Sequence, residues 1–219
     1  MPIISVITVV FNGEKHLEQA ILSVLGQTYG KVEYIVIDGG SRDGTLDIIR
    51  KHENRIDRWI SEPDEGIYDA MNKGIALASG EIIGMLNCDD WYEPDALEEV
   101  AKSYSRSPDK RIVILGKWNA IFEDLGMAIS VAPSTEFHKL RLCHQAMFIP
   151  KKAYGLFGTY DLTYKYSADL DMALRLYVNK VKFLFLDMNV VNFRTSGASG
   201  INYRKTGREQ SITIRKHLP

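Results

Sequence analysis

Residues 66–97 read GIYDAMNKGIALASGEIIGMLNCDDWYEPDAL, and the fold is decided there. Ile67, Ala70, Met71, Gly74, Ile75 and Ala78 recur at the spacing of one helix face. Ile82–Leu86 then runs apolar for the length of a strand and stops at Asn87-Cys88-Asp89-Asp90. A strand that is apolar on both faces must be covered on both faces. This helix and strand therefore predict a βαβ unit in a mainly parallel sheet.

Upstream, the alternation repeats. Ile3–Phe11 is β-branched and apolar, a buried strand, and Asn12 or Gly13 opens a helix marked by Leu17, Ala20, Ile21, Val24 and Leu25. Tyr34–Ile37 predicts a second buried strand ending at Asp38, followed by a Gly-rich turn and a helix through Leu46, Ile48 and Ile49. Arg58–Ser61 predicts a third strand. Downstream the pattern loosens. Arg111–Trp118, Met127–Val131, Gln145–Ile149 and Lys182–Leu186 read as strands, and Ser167–Val178 as a helix with Leu170, Ala173, Leu174 and Tyr177 on one face. Tyr203–His217 reads as a polar terminal helix. The expectation is one α/β domain over residues 1–219, regular over 1–110 and more variable over 111–219.

Composition mainly excludes. The chain has 219 residues, 45% hydrophobic and 25% charged, enough for one core and too few for two ordinary ones. Twenty-seven Lys and Arg against 28 acids leave a net charge of −1, which argues against nucleic acid as a partner. No apolar run is long enough to span a membrane. The opening MPIISVITVVFN reads as a strand rather than a leader. Cys88 and Cys143 have no metal-ligand spacing, which fits reduced core thiols and a cytoplasmic location.

In an open parallel sheet, ligands bind beyond the carboxyl ends of the strands. Three predicted strands end in polar clusters, Phe11-Asn12-Gly13, Asp38 through Thr45, and Asn87 through Asp90. Parallel neighbours would bring all three to one crevice. The cluster at Asp38 is neither a P-loop nor a GxGxxG turn. Its Asp43 end suits a turn or helix cap, whereas Asp38, at the mouth of a buried strand, needs a partner. Asp89 and Asp90 have two readings, a solvated acidic turn before the helix after Pro94, or an oxygen-ligand site for a divalent cation.

Taken in order, SVITVVFN (5–12), VIDGGSRDGT (36–45) and the stretch 66–97, continued by HQAMFI (144–149) and YSADLDMALRL (166–176), resemble the family 2 glycosyltransferases. The likeness is nearest to the bacterial branch that builds polysaccharides and lipid-linked oligosaccharides. It implies the GT-A fold, a Rossmann-like, mainly parallel sheet flanked by helices with a smaller mixed or antiparallel acceptor-side extension. It also implies an inverting transfer from a nucleotide-sugar donor, a UDP-sugar, to a glycan or lipid-linked acceptor. By resemblance, Phe11 stacks on the base, Asp38 hydrogen-bonds it, and Asp64 and Asn72 border the nucleotide pocket. Asn87 and Asp89 occupy the DxD position. Asp89 would then ligate Mn2+ or Mg2+ with help from Asp90, and Asn87 removes one charge from the usual pattern. Asp169 matches the general base, while Ala168 stands where much of the family has Glu. His144 and Gln145 resemble an acceptor-side motif, although a hydrogen-bonded strand histidine reads equally well. Residues 194–200 resemble a loop that closes over the donor.

The basic bias of Lys205, Arg208, Arg215, Lys216 and His217 would suit peripheral contact with the inner face of a membrane; a solvated helix face is the other reading. Two rival functions remain on the sequence. A sugar nucleotidyltransferase would need a basic Gly-rich loop that Asn12-Gly13-Glu14-Lys15 matches poorly. A non-catalytic sugar-nucleotide or glycan-binding module is favoured by Asn87 and Ala168.

Overall fold

The computed structural model describes residues 1–134, 141–197 and 202–218. Its four parallel strands are β1 (Ile4–Val10), β2 (Val32–Asp38), β3 (Arg58–Ser61) and β4 (Ile82–Asn87), joined by helices α1 (Leu17–Leu25), α2 (Thr45–His52) and α3 (Ile67–Leu77). A two-residue strand β5 (Trp91–Tyr92) and helix α4 (Ala96–Arg106) follow. The second half adds β6 (Val113–Phe122), β7 (Met127–Val131), β8 (Met147–Pro150), α5 (Lys151–Phe157), α6 (Ala168–Val178), β9 (Phe183–Arg194) and α7 (Tyr203–His217). The sheet runs β3-β2-β1-β4-β8-β6-β9-β5, with β7 on the free side of β6. Strand β8 is antiparallel to both β4 and β6, so it joins the parallel half to the mixed extension.

Period-two alternation in the strands builds a core on each side of the sheet. Ile4, Val6 and Val10 face α1, α2 and α4, packing with Leu17, Ile21, Ile49, Leu97 and Val100. Ile7 and Val9 face the other way, toward Met71 and Ile75 of α3 and Met172 and Leu176 of α6. Gly74 lets α3 lie close on β1, since a Cβ there would sit 2.3 Å from Ile7 Cγ2. Beneath the strands, Glu33 accepts from Ser5 Oγ at 2.5 Å and from Ser79 N at 2.7 Å. Burial works to raise its pKa, yet these donors hold it below the ordinary range.

Several expectations are corrected. Residues 144–146 form a 3-10 turn, and only Met147–Pro150 pairs as a strand. Strand β9 runs on to Arg194, well past Leu186. In α6 Ala173 and Leu174 are buried as expected, but they are joined by Ala168, Asp171, Met172 and Leu176, while Tyr177 is 42% exposed. The helix turns this way because Asp171 is drawn inward, where Arg175 Nε and His217 Nε2 each lie 2.8 Å from its carboxylate. The terminal helix α7 thus packs on α6. Lys216 and His217 serve that contact, leaving Lys205, Arg208 and Arg215 exposed. Among the described residues no helix is long and apolar enough to cross a membrane.

Candidate active site

Parallel pairing brings the strand ends together. Val10 is opposite Asp38, Val9 opposite Asn87, and Asp38 opposite Ser61, so all three polar clusters open on one crevice. The first two are laced by hydrogen bonds. Asn12, in the left-handed region at φ 50°, donates its N–H to Ser41 Oγ at 2.7 Å and accepts from Arg42 N at 2.9 Å. Gly13 N donates to Thr45 Oγ1 at 2.8 Å and Glu14 N to Asp43 Oδ2 at 3.1 Å. Asp43 also accepts from Thr45 N at 3.1 Å, so its role is the turn. Phe11 stands on this brace with its side chain outward, 62% exposed.

Asp38 is placed differently from its expected contact with a base. It is fully buried and accepts from Ser61 Oγ at 2.6 Å, Gly40 N at 3.2 Å, Ser41 N at 3.1 Å and the Ser41 hydroxyl. Its partner is the loop itself, and Ser41 and Asn12 form the surface above it. Asp64 lies beside this turn, where a Cβ on Gly39 would fall 2.3 Å from Asp64 Oδ2. Its other oxygen accepts from Gly66 N at 2.9 Å.

At the end of β4 the two acids diverge. Asp89 is half-buried, with its carboxylate against Gly197. Asp90 is 1% exposed and points inward, accepting from Gln145 Nε2 at 2.6 Å and Arg194 N at 2.8 Å. Burial, then the charge of Asp89, push its pKa well above the usual range. Burial closes both to the cleft: Asp90 and Gln145 are each 1% exposed, so neither is an open metal ligand or sugar contact. Arg194 fastens the assembly. Its guanidinium donates to Glu123 Oε1 at 2.7 Å, Gln19 Oε1 at 2.7 Å and the Asp89 carbonyl, and lies 4.5 Å over the Trp91 ring. The expected donor-covering loop begins here; its residues 198–200 lie outside the described residues. Burial, then the charges of Asp89 and Asp90, push the Cys88 thiol up to about 12, so both free cysteines fit inert thiols.

One open carboxylate and the Asn87 amide make no standing metal site, and no group of three metal-ligating side chains occurs among the described residues. The donor set does fit an ion shared with a diphosphate, since magnesium typically takes one or two carboxylates plus phosphate oxygens.

Asp169, in the first turn of α6, faces this cleft. His144 Nδ1 is 3.3 Å from its Oδ2, and Tyr68 donates its hydroxyl to Oδ1 at 3.1 Å. Nε2 of the same imidazole is 3.3 Å from Asn87 Oδ1. Burial would raise the Asp169 pKa, but the His144 bond and charge, the Leu170 N–H and Tyr68 hold it below its ordinary value. Beside it opens a cavity of about 220 Å³, with Trp118, Arg141, Leu142, Leu170 and Gln210 among its walls. Asn72, expected at the nucleotide, instead clamps the backbone of Tyr160, donating to its carbonyl at 2.8 Å and accepting from its N–H at 2.9 Å.

Three residues here escaped sequence reasoning, namely Tyr68, Arg194 as an anchor, and Glu209. Glu209 of α7 accepts from Lys165 N at 2.9 Å, Tyr166 N at 2.7 Å and Ser167 Oγ at 3.1 Å, closing the N-terminus of α6. Only Tyr68 left a trace in the sequence. It precedes Asn72 by four residues, so both side chains leave one face of α3.

Comparison with known proteins bears on the fold and the family. The model of glycosyl transferase family 2 matches residues 5–144. A glycosyltransferase of Mycobacterium tuberculosis is 35% identical over 179 residues, 80% of this chain and 68% of the relative. A PGL/p-HBAD biosynthesis glycosyltransferase of Mycobacterium bovis is 33% identical over 190 residues, 81% of this chain and 71% of the relative. In structure, the chain resembles Staphylococcus aureus TarS 1–349 in complex with UDP, with a TM-score of 0.77 at 18% identity over 99% of this chain and 67% of that one. It also resembles the mannosyltransferase PcManGT of Pyrobaculum calidifontis in complex with GDP-Man and Mn2+, with a TM-score of 0.77 at 16% identity over 98% of this chain and 64% of that one. The fold is that of the GT-A enzymes, and the chain belongs to glycosyl transferase family 2, as an enzyme of nucleotide-sugar glycosyl transfer.

Proposed function

We propose that the chain transfers a sugar with inversion from a UDP-sugar to a hydroxyl of a glycan or lipid-linked acceptor, with Asp169 as general base. The observation that carries this reading is the span of one side chain. His144 touches Asn87, two residues from Asp89, with one ring nitrogen and Asp169 with the other. The base therefore stands one imidazole away from the strand end that would hold the donor diphosphate. Direct attack across so short a span needs no enzyme nucleophile.

Phe11 offers an exposed aromatic face for the base, and the loop organised by Asp38, with Asp64 beside it, supplies the polar rim. TarS with UDP or UDP-GlcNAc and PcManGT with GDP-Man support a nucleotide-sugar donor of this general kind. Asp89 and Asn87 would hold a divalent ion together with the donor. What the ion supplies when bound is neutralisation of charge on the leaving diphosphate. Tyr68, His144 and the Leu170 N–H give the Asp169 carboxylate three donors for about four lone pairs, so it can take the acceptor proton while staying aimed. The acceptor would enter the cavity beside it.

A panel of nucleotide sugars with Mn2+ or Mg2+ tests the donor, and the anomeric configuration of the product tests the displacement. Expected are preference for UDP-sugars, an inverted product, and loss of about 10²–10⁴-fold in transfer rate for Asp169→Asn with donor affinity retained. Equal or tighter GDP binding removes the uracil assignment. A retained configuration, or an active Asp169→Asn, removes the mechanism.

A further inference from the structure

We infer that Tyr68 is a positioning residue for the base, holding the Asp169 carboxylate in the orientation that meets the acceptor hydroxyl. The inference rests on the reading of Asp169 given above and adds a residue from the opposite half of the fold. Tyr68 sits at the start of α3, whereas Asp169 is 101 positions later, in α6. The phenol is 7% exposed, so little of it remains for a ligand to touch. Its hydroxyl donates to Asp169 Oδ1 at 3.1 Å and accepts from the backbone N–H groups of Ala168 and Asp169, which seats it on the first turn of α6.

The ring is itself held. Tyr68 packs on Tyr160 with centroids 5.6 Å apart, and Tyr160 packs on Tyr154 at 6.1 Å. Asn72, one turn after Tyr68, fixes the Tyr160 backbone through its two hydrogen bonds. The stretch 68–72 therefore sets a rigid aromatic stack behind one oxygen of Asp169, while His144 occupies the other. A carboxylate that is free to rotate samples many orientations, and general-base catalysis needs one of them. Burial, then the charge of Asp169, push the Tyr68 phenol far above its ordinary pKa, so it remains a donor whenever the enzyme works.

The test uses Tyr68→Phe, which removes a single oxygen, in the wild-type and Asp169→Asn backgrounds. Tyr29→Phe is the control, a buried tyrosine on the other side of the sheet whose hydroxyl donates to the Pro2 carbonyl. In the wild-type background we expect Tyr68→Phe to lower kcat by about tenfold or more, with donor Kd unchanged. Tyr29→Phe should keep the wild-type kcat, and Tyr68→Phe should add no further loss to Asp169→Asn. If Asp169→Asn is inactive but Tyr68→Phe turns over like wild type, the positioning role is wrong and the base stands. If Tyr29→Phe loses as much as Tyr68→Phe, the effect is the general cost of removing a buried hydroxyl and the positioning role is again overturned. An active Asp169→Asn would overturn the base itself.

Discussion

Asp171→Asn separates the structural acid of α6 from the acid assigned to chemistry. The carboxylate is 1% exposed and meets Arg175 Nε at 2.8 Å, His217 Nε2 at 2.8 Å and Lys216 Nζ at 3.6 Å. An amide keeps the shape and one acceptor oxygen but loses the charge. Arg175 is not stranded, because it also donates to the carbonyls of Phe157 and Thr159. The loss is therefore close to one charge-assisted hydrogen bond, about 1.5–3 kcal/mol. For a chain of this size that lowers Tm by about 3–12 °C. The pH dependence has a definite sign. Burial works to raise the Asp171 pKa, but the bond from His217 and the charges of Arg175 and Lys216 hold it below 3.8. A carboxyl depressed by folding stabilises the fold above its unfolded pKa, and that stability is lost as pH falls through the folded value. The Tm gap between wild type and variant should be full at neutral pH and close below 3.8. Calorimetric melts across pH, with transfer rates taken well below Tm, decide the matter. An unchanged Tm, or abolished transfer in a variant that melts like wild type, refutes the assignment.

Two further outcomes are expected. Arg194→Lys cannot reproduce the contacts to Glu123, Gln19 and the Asp89 carbonyl, so it should cost about 1–3 kcal/mol in a thermal melt and raise donor KM; unchanged donor KM would show that the anchor does not shape the site. Asp89→Ala should abolish metal-dependent donor binding by calorimetry, with chelator doing the same to wild type, whereas unaffected binding in chelator would reduce this acid to a turn residue.

The sequence made the strands and their crevice legible because a doubly covered strand must be a continuous apolar run. The points where Asn12, Asp38 and Asn87 break those runs are fixed by the same burial. It could not show which way a polar side chain turns once the chain reaches the crevice. Asp38, Asp90 and Gln145 all stand at cleft positions and all point inward, each toward a donor or acceptor on another element. The face of α6 was hidden for the same reason. Its apolar spacing allowed Tyr177 inward, and the contact from His217 of α7, 46 positions later, joins Arg175 in making Asp171 the buried choice. Asn72 shows the converse case, a residue of the right motif whose amide is committed to Tyr160.

The two departures from the family pattern, Asn87 and Ala168, gain a physical context from these contacts. Ala168 is fully buried in the apolar cluster that holds Met172 and Leu176, so a glutamate there would bring a charge into apolar packing. The N-terminus of α6 nevertheless meets a carboxylate. Glu209 provides it from α7, accepting from the N–H groups of Lys165 and Tyr166 just before the N-cap and from the Ser167 hydroxyl, and negative charge at this end of a helix is favoured by about 0.3–1 kcal/mol. Asn87 is matched in the same way to His144. An amide can present either its oxygen or its N–H to an imidazole nitrogen, so it suits the neutral and the charged ring alike. An aspartate at 87 can only accept, and it would place the imidazole between two carboxylates. On the proposed reading, the substitution that restores the usual acid would act on the base as well as on the metal, and Asn87 would join Tyr68 and His144 among the side chains that hold Asp169.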